Sequence, residues 1–253
     1  HLSRLTPRQL AALTAGGLDD AVALLPTGAI EQHGPHLPVG VDAFLGEVWI
    51  SALLPKLPPN HPLWIAPAVS YGKSNEHRGF PGTLSVSACS LRSILLSQAR
   101  QLQAWGFRRL AILNTHGGNS AVLTYALREV QTTLGLRTAL LSVPASPDLP
   151  AQERAYGFHG GTWETSLMLA VAPELVRSDR LVCEYPARID DPGQLRPEKA
   201  PATFAWLTSD VSRSGVMGDA TAARADLGRA WIDRGAAALA RQLTEFSQSK
   251  TSG

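Results

Sequence analysis

The chain has 253 residues, 44% of them hydrophobic and 17% charged, and its 23 basic residues against 21 acidic ones leave a net charge of +2. That balance excludes intrinsic disorder, no apolar run approaches the roughly 20 residues of a membrane helix, and no clustered basic stripe marks a nucleic-acid partner. The length fits one globular domain, residues 1–253, able to bury its core without disulfides.

Thr6-Pro7-Arg8-Gln9 predicts a short helix, with Thr6 as cap, Pro7 at the first helical position and Gln9 closing a capping box before Gly16 and Gly17 end it. Ala21 to Leu25 reads as a buried strand running into Pro26, Gly28 and a loop dense in functional groups. Trp64 to Val69 reads as a second strand, and Leu91, Ile94, Leu95, Leu102 and Trp105 fall at helical spacing up to Gly106. Strand Leu110 to Asn114 follows, then a second glycine loop. Val122, Leu123, Ala126, Leu127, Val130 and Leu134 trace a further helix closed by Gly135, and Thr138 to Val143 reads as the next strand. This alternation predicts an α/β protein with a mainly parallel sheet covered on both faces and a ligand site at the carboxyl ends of the strands. Pro144 to Gly160 reads as irregular, Thr162 to about Val171 as helix, and Ala222 to Phe246 as a long terminal helix. Segment 184 to 218, with Pro186, Pro192, Pro197 and Pro201, suggests a surface excursion or a pocket cover.

Three of the seven histidines precede glycine, His33, His116 and His159, and all three fall in loops at or after predicted strands. In extended backbone, side chains two apart share a side, so Glu31 and His33 aim at one locus while Gln32 points away, and Asp42 returns to it. Two carboxylates and an imidazole suit Zn²⁺, Mn²⁺ or Fe²⁺ in an open, catalytic site. The plainer alternative makes Glu31 a surface or capping carboxylate and Asp42 the cap of a helix starting near Ala43. Asn114-Thr115-His116-Gly117-Gly118-Asn119 leads from strand to helix, so Gly117 and Gly118 let helix amides approach a carbonyl or an anion; a phosphate loop is the competing reading, without the lysine such loops carry. His159 and Glu164 in His159-Gly160-Gly161-Thr162-Trp163-Glu164-Thr165 either serve the same site or, for Glu164, cap and pair locally. His36 reads as structural. Lys73, Asn75, Glu76, His77, Arg78, Tyr156 and Trp163 are pocket candidates, with a solvated loop histidine the favoured reading of His77. Cys89 and Cys183 form no CxxC pair, so neither a disulfide framework nor a thiolate zinc site is indicated, and a reducing, cytoplasmic setting is expected.

TGAIEQHGPHLPVGVD from Thr27, FPGTLS from Phe80 to Ser85, NTHGGNS and HGGTWETS, in this order, resemble the creatininase family; the likeness spans Leu24 to about Glu174, and SGVMGDAT from Ser214 to Thr221 is similar to the family's C-terminal part. The resemblance implies a three-layer α/β/α fold, hydrolysis of a C–N bond in a small-molecule amide or a peptide, two divalent cations (Zn, Mn or Fe) per chain, and a homo-oligomer, commonly a hexamer. Carried over by motif, Glu31 and His116 bind one cation, His33 the other, Asp42 bridges both, and His159 handles protons at the reacting amide. Gly117, Gly118, Tyr156 and Trp163 are then expected to face substrate. One position departs: creatininase carries a second carboxylate two residues after its loop histidine, where this chain has Gly118. Either Glu164 supplies it, or His33, Asp42 and water hold the second ion weakly, or one cation suffices. The departure lowers the case for creatinine itself. The rival class is a non-catalytic α/β protein that binds metal or a phosphate ligand at its glycine loops.

Overall fold

A computed structural model describes residues 1–143, 148–186 and 193–249. The order of elements begins with α1 (Pro7–Ala15), which carries the Thr6 and Gln9 capping box read from the sequence. Then come β1 (Val22–Thr27), α2 (Val41–Leu53), β2 (Leu63–Ile65), α3 (Ala88–Ala104), β3 (Arg109–Asn114), α4 (Ser120–Leu134) and β4 (Arg137–Leu141). The four strands form one parallel sheet in the order β2-β1-β3-β4. β1 is buried along its whole length, as a strand covered on both faces must be.

Alternate residues of the sheet feed two cores. Ala23, Leu25, Leu110 and Ile112 pack against Leu91, Leu95 and Leu102 of α3 and Leu123, Ala126 and Val130 of α4. Val22, Leu24, Ala111 and Leu113 pack instead against Leu45, Trp49 and Ile50 of α2, Leu167 and Met168 of α6 (Thr162–Val171), and Trp231 and Leu239 of the terminal helix, Ala225–Gln248. The result is the expected three-layer α/β/α arrangement. From β1 the chain first moves outward to β2 and then crosses back to β3 on the other side, with α2 and α3 on opposite faces. The loops leaving β1 and β3 therefore part above the sheet and open a crevice at the strands' carboxyl ends.

Several boundaries differ from the sequence reading for physical reasons. β1 continues through Pro26 to Thr27, because the Pro26 carbonyl accepts from Val69 N–H (2.9 Å) beyond the end of β2, a side where its missing N–H costs nothing. The second strand stops at Ile65, and Val69 keeps only an isolated bridge to Thr27. α2 begins at Val41 with Gly40 as its cap, so Asp42 is not the cap but lies in the first turn with its side chain inward. Within Pro144 to Gly160 a helix forms, α5 (Ala151–Tyr156), while Pro144 itself and Pro192 lie outside the described residues. The later stretch holds two short ladders, β5 (Cys183–Glu184) with β8 (Gly218–Asp219) and β6 (Leu195–Arg196) with β7 (Ala202–Thr203), and a one-turn helix α7 (Thr208–Val211) before the terminal helix, α8. No helix among the described residues is long and apolar enough to cross a membrane.

Candidate metal centre

The crevice above β1 and β3 gathers the residues picked out from the sequence. The loop after β1 supplies Glu31 and His33, the first turn of α2 supplies Asp42, the loop after β3 supplies His116, and the entry to α6 supplies His159 and Glu164. Glu31, His33, Asp42, His116 and His159 are all buried, whereas Glu164 is partly exposed.

Two trios of ligand atoms share one carboxylate. Asp42 Oδ2 and Glu31 Oε1 lie 3.4 and 3.2 Å from His116 Nδ1, while Asp42 Oδ1 lies 3.4 Å from His33 Nε2, with Glu164 Oε1 3.7 Å from that nitrogen. Glu31, Asp42 and His116 are close enough together to hold one ion, and His33, Asp42 and Glu164 to hold another. Glu31 Oε2, His33 Nε2 and Asp42 Oδ2 are buried without a hydrogen-bond partner. Unpaired polar atoms are costly inside a protein, and three on candidate ligands fit a site meant for a cation.

Backbone carbonyls orient the imidazoles. His33 Nδ1 lies 3.1 Å from the Glu31 carbonyl and His116 Nε2 lies 2.9 Å from that of Lys73, so each ring gives its outer N–H to a carbonyl and turns its other nitrogen to the carboxylates. Burial lowers both pKa values, but the carboxylates outweigh it: Asp42 and Glu164 hold His33 well above its usual value, and Glu31 with Asp42 raises His116 to about 9. Burial pushes Asp42 up to about 6 against the pull of His33. It lowers His159 to about 4, with His33 acting in the same sense, so that ring is neutral.

Glu164 also accepts from Gly160 N–H at 2.5 Å, so it both caps locally and reaches the site. Glu76, by contrast, occupies the space beside Gly118: a Cβ there would run into the Glu76 carboxylate, the Lys73 carbonyl and the His116 ring. Gly117, Gly118, Lys73, Asn75 and Glu76 line an open cavity of about 730 Å³ over the trios, walled on the far side by Pro197, Phe204 and Trp206. Residues between 197 and 206, within the stretch expected to cover a pocket, thus line this one. Tyr156 is not on that wall; its ring lies under the Arg196 guanidinium, 5.6 Å from centroid to carbon. Trp163 stacks on Trp231 (5.0 Å between centroids) and borders smaller side cavities with Glu164. His36, read as structural, bonds Thr165 Oγ1 at 2.8 Å behind the site.

Gln32 escapes the sequence reading, and of the two readings of His77 the pocket one holds. His77 is only 3% exposed, not solvated, and its ring lies against His159 with centroids 4.2 Å apart. Gln32, expected to point away, is buried and meets both rings. Neither lies in a periodic stretch that would have betrayed it.

The family profile described as creatinine amidohydrolase (Creatininase) matches residues 4–243. The chain belongs to the creatininase family. It is 36% identical over 211 residues to a mycofactocin precursor peptide peptidase of Mycobacterium ulcerans (strain Agy99), covering 81% of this chain and 78% of that protein. It is 33% identical over 223 residues to a creatinine amidohydrolase of Pseudomonas putida, covering 79% and 84%. A solved creatininase described with manganese superposes with a TM-score of 0.76 at 28% identity over 98% of each chain, and a glutamate-to-glutamine creatininase mutant of Zn-Zn type gives the same values. The fold is that of creatininase, and the chain is a hydrolase of the family's carbon–nitrogen bond class.

Proposed function

We propose that this creatininase-family protein hydrolyses an amide bond with two divalent cations, one held by Glu31, Asp42 and His116 and the other by His33, Asp42 and Glu164. The observation that carries this reading is the division of Asp42, whose two oxygens face opposite histidines at 3.4 Å each. In it Glu164 takes the place of the carboxylate missing at Gly118, since it, and not Glu76, stands beside His33 and Asp42. Mixed carboxylate and imidazole donors without thiolate suit zinc, manganese or iron.

Cations held there supply Lewis acidity, making water acidic enough to attack near neutral pH and polarising the amide carbonyl. His159 carries the protons. Its Nε2 lies 2.7 Å from the Gln32 carbonyl, so that nitrogen donates and Nδ1 is left bare, 3.6 Å from Glu31 Oε1. A neutral imidazole so held takes the proton of the attacking water at Nδ1 and returns it to the departing nitrogen, which leaves slowly unless protonated. Gly117 and Gly118 offer backbone amides at the cavity wall for the developing oxyanion.

Substrates within reach of this reading are cyclic amides, formamides and other small amides, and also a peptide. A cavity of about 730 Å³ has room for several residues of extended peptide, and the peptidases among the relatives favour that choice. The test is metal analysis of the full chain, with hydrolysis of creatinine, a formamide and short peptides assayed in Mn²⁺ or Zn²⁺. Two ions per chain and turnover of at least one amide are expected. Ions without any turnover would favour a binding protein, and no ions after metal addition would overturn the proposal.

A further inference from the structure

The hydrogen atoms around Gln32 can be assigned from its partners. Gln32 Oε1 lies 2.8 Å from Gly34 N–H, which only donates, so that end of the amide is the oxygen and the other end the NH₂ group. Nε2 has three neighbours for two hydrogens: the Gly215 carbonyl at 2.9 Å, His77 Nδ1 at 2.8 Å and His159 Nε2 at 3.1 Å. His159 Nε2 already gives its hydrogen to the Gln32 carbonyl, so it cannot accept another. The second Gln32 hydrogen therefore goes to His77 Nδ1. Thr208 Oγ1, 2.8 Å from that same nitrogen, has the Glu76 carbonyl at 3.0 Å for its own hydrogen. His77 must then carry its hydrogen on Nε2, which points at Glu31 Oε1 from 3.4 Å.

This reverses the pattern of the other rings. His33, His116 and His159 each give a hydrogen to a backbone carbonyl and offer the remaining nitrogen to the centre, whereas His77 offers an N–H. By distance alone Glu31, Glu76 and His77 could gather a third ion, but an N–H is no ligand. The space for the Gln32 amide is built in: at Gly215, whose φ is +89°, a Cβ would collide with Oε1.

We propose that Gln32 and His77 are a positioning pair, in which the Gln32 amide fixes His77 as the Nε2–H tautomer and His77 donates to Glu31 instead of competing with it for a cation. The effect on cation binding rests on the function proposed above; the tautomer does not. Nitrogen NMR of histidine-labelled full chain, metal-free and zinc-loaded, reads it directly. In both states wild-type His77 is expected to show hydrogen on Nε2 and a bare Nδ1. Gln32→Glu, which only accepts, should move that hydrogen to Nδ1 and weaken zinc by about 10- to 100-fold, the range typical of lost outer partners. His77→Phe should weaken zinc similarly, and His77→Gln, still able to donate, should restore most of the affinity. A wild-type His77 protonated on Nδ1, or an Nε2 signal that shifts as a ligand's does when zinc binds, overturns the pair. A chain that binds no zinc sinks the proposed function instead, with the tautomer still legible in the metal-free protein.

Discussion

Glu153 on α5 is 3% exposed and joins three segments around the His159 loop. Its Oε1 accepts from Thr162 N–H at 2.7 Å, at the start of α6, and its Oε2 accepts from Asp219 N–H and the Tyr185 hydroxyl, both at 2.9 Å. Glu153→Gln keeps the volume but replaces one acceptor by a donor. If the remaining oxygen stays with Asp219 and Tyr185, the new NH₂ confronts the Thr162 N–H, and a buried donor without a partner costs about 1–3 kcal/mol. Taking about 2 kcal/mol, and roughly 2–4 °C per kcal/mol for a chain of this size, the Tm should fall by about 4–8 °C. Urea unfolding should show the same loss as a lower midpoint at unchanged slope. Tyr185→Phe removes one donor and leaves the other two paired, so its cost should be smaller, about 0.5–1.5 kcal/mol. A Gln variant with wild-type midpoint and Tm would show that the clamp does not hold these segments.

Four further outcomes follow from the centre. His159→Ala should keep its cations by elemental analysis and lose turnover by about 10²- to 10⁴-fold; loss of an ion would make His159 a ligand. Glu164→Gln should take the count from two ions to one, and an unchanged count would remove Glu164 from the second site. Gly118→Ala should destabilise by about 1–3 kcal/mol through the crowding at Glu76, Lys73 and His116, whereas Gly117→Ala, with nothing within 4 Å of its Cβ, should be neutral; equal urea midpoints would refute the difference. His116, raised to about 9 by Glu31 and Asp42, carries a second proton at pH 7 in the metal-free chain and must give it up to a cation, and Asp42 and Glu164 push His33 in the same direction. Zinc affinity should therefore rise with pH toward about 9, and calorimetric heats should depend on the buffer's ionisation enthalpy; buffer-independent heats would contradict this.

Most of the scaffold is legible in the sequence because its elements are amphipathic or end on glycine: α3, α4 and α8 appear at their 3.6-residue spacing, and β1 and β3 as short apolar runs between breakers. α2 is harder to see, since Leu45, Gly46, Trp49, Ile50 and Leu53 are buried over a broad arc and leave no clean stripe. Among the site residues, His33, His116 and His159 stand out by their glycine neighbours and Glu31 by its two-residue spacing from His33, while Asp42 resembles an ordinary cap until the loop folds back over it. Gln32 follows from no alternation rule, because the chain leaves extended geometry at Gly34, whose φ is +72°. His77 looks solvated because the residues that enclose it, Thr208 and Trp206, come from a distant segment without periodicity. The fate of Tyr156 turns on Arg196, from the same segment without periodicity.

The crevice takes its candidate ligands from four separate stretches, from Glu31 in the loop after β1 to Glu164 at the entry of α6, and these meet only when the sheet has paired and α6 has docked. The unfolded chain has no such arrangement, so whatever binds there acts as a reversible cross-link on the native state. At a free concentration a thousand times its dissociation constant, a bound ion adds about 4 kcal/mol to stability. With the cations of the proposed function bound there, the amount of this protein in a cell would follow their supply, since metal-free molecules would open more often and meet proteases.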